Sequence, residues 1–226
     1  MKSHHRFPIT FFALSCILML AVQAQAQELP ANAHPTVDLS AIQPADRVTS
    51  AVDDRLRVVR YGNRHPLARA EFDAGAVPPE HRMDRMMLVL QPDETQQKAL
   101  DDLVAAQQDP GSPQYHQWLS PETFGDLFGV SSHDISQVVN WLTSHGFDVE
   151  PIPAARRVIL FSGTAGQVGS AFRTSIHRFN VNGESHYANA ADPQIPRALA
   201  AVIGGVVSLH DFHTKPMHSA MQPLAK

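Results

Sequence analysis

The stretch SSHDISQVVNWLTSHGFDVEPIPAARRVILFSGT, residues 131–164, changes from a helical to a strand-like period within one segment. Its first half places apolar residues at the spacing i, i+3, i+4 and i+7, which is typical of a helix with one buried face. These residues are Ile135, Val138, Val139 and Leu142. Gly146 then predicts the end of that helix. Residues 147–152 and 158–161 follow as two apolar strands, so the stretch predicts a helix followed by a β-hairpin.

The residues before this stretch predict one strand and two more helices. Met86 to Leu90 is a continuous apolar run, typical of a strand buried on both faces. Asp93, with Gln96 three residues later, predicts a helix start. Ser120, followed by proline, predicts a second one, because proline is favoured at the first helical position.

The residues after this stretch predict a fourth helix and a series of strands. Thr164 and Gln167 form a capping box, and Asn182-Gly183 favours a type I′ hairpin turn. A last apolar strand covers residues 202–209, and Gly204-Gly205 within it indicates a bulge or a close backbone approach. The order of elements predicts an α+β fold of the ferredoxin-like, split β-α-β kind. Its antiparallel sheet would carry helices on one face, and the other face would need a partner or a polar surface.

The N-terminus predicts export. A basic start precedes an apolar run, residues 11–22, that is short for a membrane span. Ala24 and Ala26 are small residues suited to a signal peptidase, so we predict a signal peptide over residues 1–26, with cleavage between Ala26 and Gln27. A retained membrane anchor is the alternative. Residues 27–80 are rich in proline and poor in periodicity, which predicts an extended linker or arm. The mature protein is expected to be secreted, either periplasmic or extracellular.

Composition excludes several classes of function. The net charge is −4 and the single cysteine, Cys16, lies in the predicted signal peptide. Nucleic-acid binding is therefore not indicated, and neither cysteine catalysis nor a cysteine zinc site is available to the mature chain. No motif predicts a cofactor. His210 and His213 lie three residues apart, but no third metal ligand is identifiable, and surface histidines are the favoured interpretation.

Histidine is abundant, with 13 residues in the chain. Its charge changes between about pH 7 and about pH 5, which could provide a pH switch in an exported protein. The candidates are His177, His186, His210 and His213. The alternative is that these side chains are solvated and only tune solubility. Trp118 and Trp141 lie beside positions with a core pattern, so ordinary packing is expected of both.

Several motifs, in order and at characteristic spacing, resemble the pro-kumamolisin activation domain, the propeptide of the sedolisin or serine-carboxyl peptidase family. The resemblance covers residues 85–212, and residues 65–75 are similar to the leaders of bacterial members. The motifs are SPQYHQWLSPETFG (112–125), VVNWLTSHGF (138–147), FSGTAGQV (161–168), AFRT (171–174), HYAN (186–189), DPQIP (192–196) and SLHDF (208–212).

The resemblance implies an α/β sandwich prodomain over residues 81–212, followed by a tail over residues 213–226. Such domains precede acid-active peptidases with Ser-Glu-Asp chemistry, assist their folding and block the cleft until low pH triggers processing. Ser162-Gly163-Thr164 is similar to the family's nucleophile motif, but Ala165 stands where the nucleophile would be. We therefore expect this chain to lack catalytic residues and a catalytic domain.

Three functions remain open at this level. The first is an inhibitor and folding module for a sedolisin-type peptidase, which would act in trans or would have been lost by truncation. The second is an exported interaction or scaffold module without inhibitory activity. The third is a truncated remnant of a sedolisin precursor. A membrane partner is not expected once the signal is removed.

Overall fold

The structure is a computed structural model that describes residues 34–212. The predicted signal peptide, its cleavage site at Ala26 and Gln27, and the predicted C-terminal tail lie outside the described residues. The four helices of this part are α1 (Glu94–Gln108), α2 (Pro121–Phe128), α3 (Ser132–Ser144) and α4 (Ala165–Phe172). The strands are β1 (Arg57–Val59), β2 (Asp73–Ala76), β3 (Arg82–Leu90), β4 (Asp148–Val149), β5 (Val158–Thr164), β6 (Ile176–Val181), β7 (Glu184–Asn189), β8 (Gln194–Pro196) and β9 (Ile203–Val207).

The main sheet has the strand order β4-β5-β3-β9, and every neighbouring pair is antiparallel. Strand β3 comes first in sequence among these four strands and β9 comes last. In the sheet, β3 lies between β5 and β9. Strand β3 is followed by α1, α2 and α3, and β5 is followed by α4. This is the split β-α-β arrangement, and it confirms the predicted α+β fold with antiparallel sheets.

The helix starts follow from local side-chain chemistry. Asp93 with Gln96 and Thr164 with Gln167 both form complete capping boxes. Ser120 accepts a hydrogen bond from the Thr123 backbone and precedes a proline at the first position of α2. These side chains satisfy backbone donors that have no partner within the helix, which is why these three helix starts could be predicted from sequence.

One face of the main sheet packs against α3 and α4. Alternate residues of β3 and β5 are buried on this face, and Phe161 contacts Phe147 and Phe172 ring to ring, at centroid distances of 5.1 Å and 6.0 Å. Trp141 of α3 is buried and meets Phe172 edge-on at 5.2 Å. The prediction of ordinary packing is thus correct for Trp141. The prediction that β3 is buried on both faces is wrong, because no described helix covers the second face and its side chains there are half-buried.

A smaller sheet, β2-β6-β7, adjoins the first. Strands β6 and β7 form the predicted hairpin, and both turn residues, Asn182 and Gly183, have the positive φ that a type I′ turn requires (52° and 82°). Strands β1 and β8 make a separate antiparallel pair.

Residues 34–80, predicted as an extended linker or arm, form an arm. They run as an extended segment, but they pack on the domain and contribute β1 and β2. Asp134 is fully buried and accepts hydrogen bonds from the backbone of Arg47 and Val48, at 2.8 Å and 3.0 Å. The Asp54 carboxylate binds Trp141 and His145 of the α3 region. The segment is held by polar side chains of the domain and by buried apolar residues of its own, such as Val48 and Val77. These apolar residues follow no regular period, so sequence patterning does not detect the packing.

No helix within residues 34–212 is long and apolar enough to cross a membrane.

Candidate interaction surface

The second face of the main sheet is apolar and only partly covered. Residues opposite one another on neighbouring strands share a face, and the pairing places Leu160, Met87 and Val207 in one row. Val158 and Val89 form the next row, which continues to Gly205. Val207 is 44% exposed, and the other four side chains are half-buried. We call these five side chains the open face.

A β-bulge marks one end of the open face. Asp84 and Arg85 of β3 lie opposite the single residue Ser162 of β5. Arg85 adopts a left-handed conformation, with φ of 51°, and its backbone N–H donates to the Ser162 hydroxyl at 2.9 Å. Its side chain is exposed and pairs with Glu150 at 3.2 Å. Bulges redirect side chains, and this bulge places a charged pair beside the apolar rows.

A cleft of about 410 Å³ lies at the other end of the open face, between β9 and residues 62–66. Its lining includes Asn63, Arg64, His65, Val89, Val207 and His210. The Asn63 side chain accepts a hydrogen bond from the Val206 backbone at 2.6 Å. The cleft thus combines an apolar floor, shared with the open face, with a polar and basic rim.

Three histidines gather around Phe212 beside this cleft. The Phe212 ring is stacked between His65 and His186, with centroid distances of 4.2 Å and 4.3 Å. His210 lies 4.7 Å from His65. The four rings come from the 62–66 loop, from β7 and from the residues after β9, so the cluster joins three segments that are distant in sequence. We call them the histidine cluster.

Asp211 fixes the chain next to this cluster. Its backbone N–H donates to the Tyr187 carbonyl at 3.2 Å, and its carboxylate accepts from the Tyr187 N–H at 2.9 Å. The same carboxylate lies 3.3 Å from His186 Nδ1, and Glu184 lies 3.7 Å from His186 Nε2. An imidazolium at His186 would therefore face a carboxylate at each ring nitrogen.

The surroundings of His65, unlike those of His186, favour the neutral ring. Its Nδ1 accepts a hydrogen bond from the Leu67 N–H at 3.2 Å, and only an unprotonated Nδ1 can do so. Burial, followed by the charge of His186, lowers the pKa of His65 below its ordinary value of 6.5. The neutral ring is thus the form that the fold holds.

The candidate switch residues fall at different places. His186 and His210 meet in the histidine cluster. His177 of β6 lies between the Asp73 carboxylate, at 2.8 Å, and the Ser175 hydroxyl, at 2.9 Å, and so links β2 to β6. His213 lies outside the described residues. Sequence reasoning did not identify His65 as a member of the cluster, because only the fold brings residue 65 next to residue 212.

Other candidate sites can now be placed. Within the described part of the chain, no group of three or more histidine, cysteine, aspartate or glutamate side chains is arranged to hold a metal ion. Thr164 caps α4, and the Ser162 hydroxyl accepts the Arg85 N–H, so both residues have structural roles. The packing predicted for Trp118 is wrong. Its side chain is 67% exposed, beside the stacked rings of His116 and Tyr115.

The described residues thus form a split β-α-β domain with a partly covered apolar sheet face and an N-terminal extension packed on it. The family described as the pro-kumamolisin activation domain matches residues 72–212, more than half of the chain. The chain therefore belongs to the pro-kumamolisin activation domain family, the propeptide domain of sedolisin-type serine-carboxyl peptidases.

Two curated relatives agree with this assignment. Xanthomonalisin from Xanthomonas sp. (strain T-22) is 32% identical over 126 residues, which are 55% of this chain and 15% of the relative. Sedolisin from Pseudomonas sp. (strain 101) is 33% identical over 112 residues, 50% of this chain and 19% of the relative. The chain spans less than a fifth of the length of each of these relatives.

Proposed function

We propose that this domain inhibits an acid-active serine-carboxyl peptidase and assists its folding, blocking the cleft of the peptidase until processing at low pH. The observation that carries the proposal is the open face. Its apolar rows lie on β3, β5 and β9 of the main sheet, and a rigid core supports them from behind. An apolar patch of this kind on a soluble domain marks a binding surface.

The peptidase would pack on the open face, with Leu160, Met87 and Val207 at the centre of the contact. The cleft beside Asn63 would receive a side chain of the peptidase, and the polar rim would fix the register. The chain after Phe212 would continue into the active-site cleft of the peptidase. In this arrangement the domain blocks access without reacting, since Ala165 stands where the family's nucleophile motif would place a hydroxyl.

The partner would be a peptidase domain of the sedolisin type, the class of protein to which both curated relatives belong. The predicted signal peptide supports export, and the abundance of histidine suits a compartment that becomes acidic. His177, His186, His210 and His213 would then weaken the complex on protonation. Neither a metal nor another cofactor is needed for this function.

The test is a titration of the full chain, without its signal peptide, against an active sedolisin-type peptidase, read as residual activity at several mildly acidic pH values. The decisive variant is Val207→Glu, which places a charge in the open face. Its matched control is Val104→Glu on α1, because Val104 is 43% exposed and Val207 44%. We expect inhibition by the unmodified chain and the control, and much weaker inhibition by Val207→Glu.

Other results would contradict parts of this proposal. Equal inhibition by both variants would show that the open face is not part of the interface. A lack of inhibition at every pH, together with a concentration-dependent dimer that Val207→Glu dissolves, would favour the exported scaffold module. Replacement of His177, His186 and His210 by glutamine tests the switch, because an unchanged pH midpoint of release would show that these residues do not set it.

A further inference from the structure

The structure carries an inference that does not depend on inhibition of a peptidase. We infer that residues 210–212 form a pH-sensitive latch, which is held on the domain by the Phe212 ring between His65 and His186 and released when His65 is protonated. The latch concerns contacts within this chain alone. It would control how the chain leaves the domain toward residue 213.

The closed latch rests on two kinds of contact. The first is the stack of Phe212 on His65, whose ring planes are within 8° of parallel, and on His186, within 24°. The second is the pair of hydrogen bonds between Asp211 and the Tyr187 backbone. Strand β7 is an edge of the smaller sheet, so these two bonds extend its pairing by one residue. Phe212 also packs against the small apolar cluster of Ala68, Phe179, Val181 and Ala188. Opening would move only residues 210–212 away from the domain and does not require the domain to unfold.

Protonation of His65 carries three costs in the closed form. The imidazolium can no longer accept the Leu67 N–H, so the turn over residues 65–68 loses a bond. The half-buried ring would also hold a positive charge partly out of contact with water, which is unfavourable. Finally, a positive charge at His65 is repelled by the charge of His186 on the other side of the Phe212 ring. Opening exposes the His65 ring to water and separates it from His186, so the second and third costs are relieved, while the lost bond to Leu67 is common to both forms.

The surrounding carboxylates do not cancel this effect. Asp211 and Glu184 face His186, on the far side of the Phe212 ring. They pair with His186, whereas burial and the charge of His186 are what act on His65. The direction of the switch follows from this asymmetry, since the neutral His65 favours closure and the protonated form favours opening.

The sign of the pH dependence is fixed by the lowered pKa of His65. A histidine whose folded pKa lies below 6.5 binds fewer protons in the closed form than in the open form. The closed latch is therefore fully stable above about pH 6.5 and weakens as the pH falls through the lowered pKa of His65. Solvent around this half-buried site moderates the size of the effect and leaves its direction unchanged.

Hydrogen exchange of the full chain tests the latch at the Asp211 amide, which donates to Tyr187. We expect its protection, corrected for the intrinsic exchange rate, to fall several-fold from about pH 7.5 to about pH 5, while the amide of Leu88 in the centre of the main sheet keeps its protection. The critical variant is His65→Asn. Asparagine retains an acceptor for the N–H two residues later and does not titrate, so the Asp211 amide should lose its pH dependence.

The control is His177→Asn, which removes a histidine from the same sheet without touching Phe212. This variant should keep the pH dependence of the unmodified chain. The proposal is overturned if the Asp211 amide shows no loss of protection at low pH, or if His65→Asn shows the same loss as the unmodified chain. A second measurement needs no variant, because the NMR signals of the His65 and Phe212 rings should move with one midpoint. Separate midpoints would also overturn the proposal.

Discussion

The side chain of Asn63 rests directly on the backbone of Gly205. Its Oδ1 accepts the Val206 N–H at 2.6 Å, and a Cβ atom added at Gly205 would lie 2.6 Å from the same oxygen. The loop that forms one wall of the cleft is therefore fixed to the edge of the main sheet at a position where an added Cβ atom would displace the Asn63 carboxamide. Of the two alternatives predicted from the Gly204-Gly205 pair, the shift of register between β3 and β9 confirms the bulge.

Substitution of Gly205 by alanine should destabilise the domain. The new methyl group displaces the Asn63 side chain and breaks its bond to Val206, and overpacking of this kind costs about 1–3 kcal/mol. Urea denaturation of the full chain measures the loss. Gly204→Ala is the matched control, because the nearest atoms to its added Cβ would be at 3.5 Å, an ordinary contact. Equal losses for the two variants would contradict this account of Gly205.

Asp54 should contribute strongly to stability, since one carboxylate connects the N-terminal segment to three partners. It accepts bonds from Arg57 at 2.6 Å, from Trp141 at 3.0 Å, and lies 2.8 Å from His145 Nε2. The Arg57 side chain is only 7% exposed and would lose its acid partner. We expect Asp54→Ala to lower the free energy of unfolding by about 2 kcal/mol. Asp53→Ala, which breaks a pair with the exposed Arg55, is the control and should cost clearly less.

The contribution of Asp54 should disappear in acid. Burial alone would raise the pKa of Asp54, but the Trp141 bond, the Arg57 charge and His145 together outweigh it, and the pKa is lowered from 3.8. The stabilisation by this carboxylate is therefore complete above about pH 4 and is lost as the pH falls through the lowered pKa. The difference in unfolding free energy between the unmodified chain and Asp54→Asn should shrink over that range. A difference that stays constant down to about pH 2 would show that ionisation of Asp54 is not involved.

Local chemistry explains which features could be predicted from sequence. The capping box of Thr164 and Gln167 and the Asn182-Gly183 turn each depend on residues within four positions of one another. Such signals, together with the hydrophobic period, predict the order of the helices and strands. The prediction that Met86 to Leu90 is buried on both faces is wrong, because a uniformly apolar run has the same composition whether the strand is covered on one face or on two.

The candidate site depended on contacts that no local pattern contains. Phe212 meets His65 and His186 only after the main sheet, the hairpin and the N-terminal segment have come together. Residues 34–80 are held by scattered buried residues such as Val48 and by single polar side chains, such as Asp134, that satisfy backbone donors across long sequence separations. Such bonds leave no periodic trace in the chain. Family resemblance supplied the general function, and the structure was needed to locate the surface and the histidine cluster.

Arg85 should be a position where stability and binding oppose each other. A left-handed backbone costs a non-glycine residue about 1–2 kcal/mol, and Arg85 adopts it in the bulge beside the open face. Its pair with Glu150 is exposed and returns little of that cost. Arg85→Gly should therefore leave the free energy of unfolding unchanged or raise it by up to about 1 kcal/mol.

Arg82→Gly on the same strand is the comparison for Arg85→Gly. Arg82 is exposed, pairs with Asp84 and has no positive φ, so glycine there only adds flexibility and should cost about 0.5–1 kcal/mol. Thermal and urea unfolding of the two variants should place Arg85→Gly above Arg82→Gly. If the order is as expected and Arg85→Gly also weakens inhibition of a sedolisin-type peptidase, the bulge holds Arg85 in place for binding. If Arg85→Gly is the less stable variant, the bulge is a structural element whose arginine is required by the fold itself.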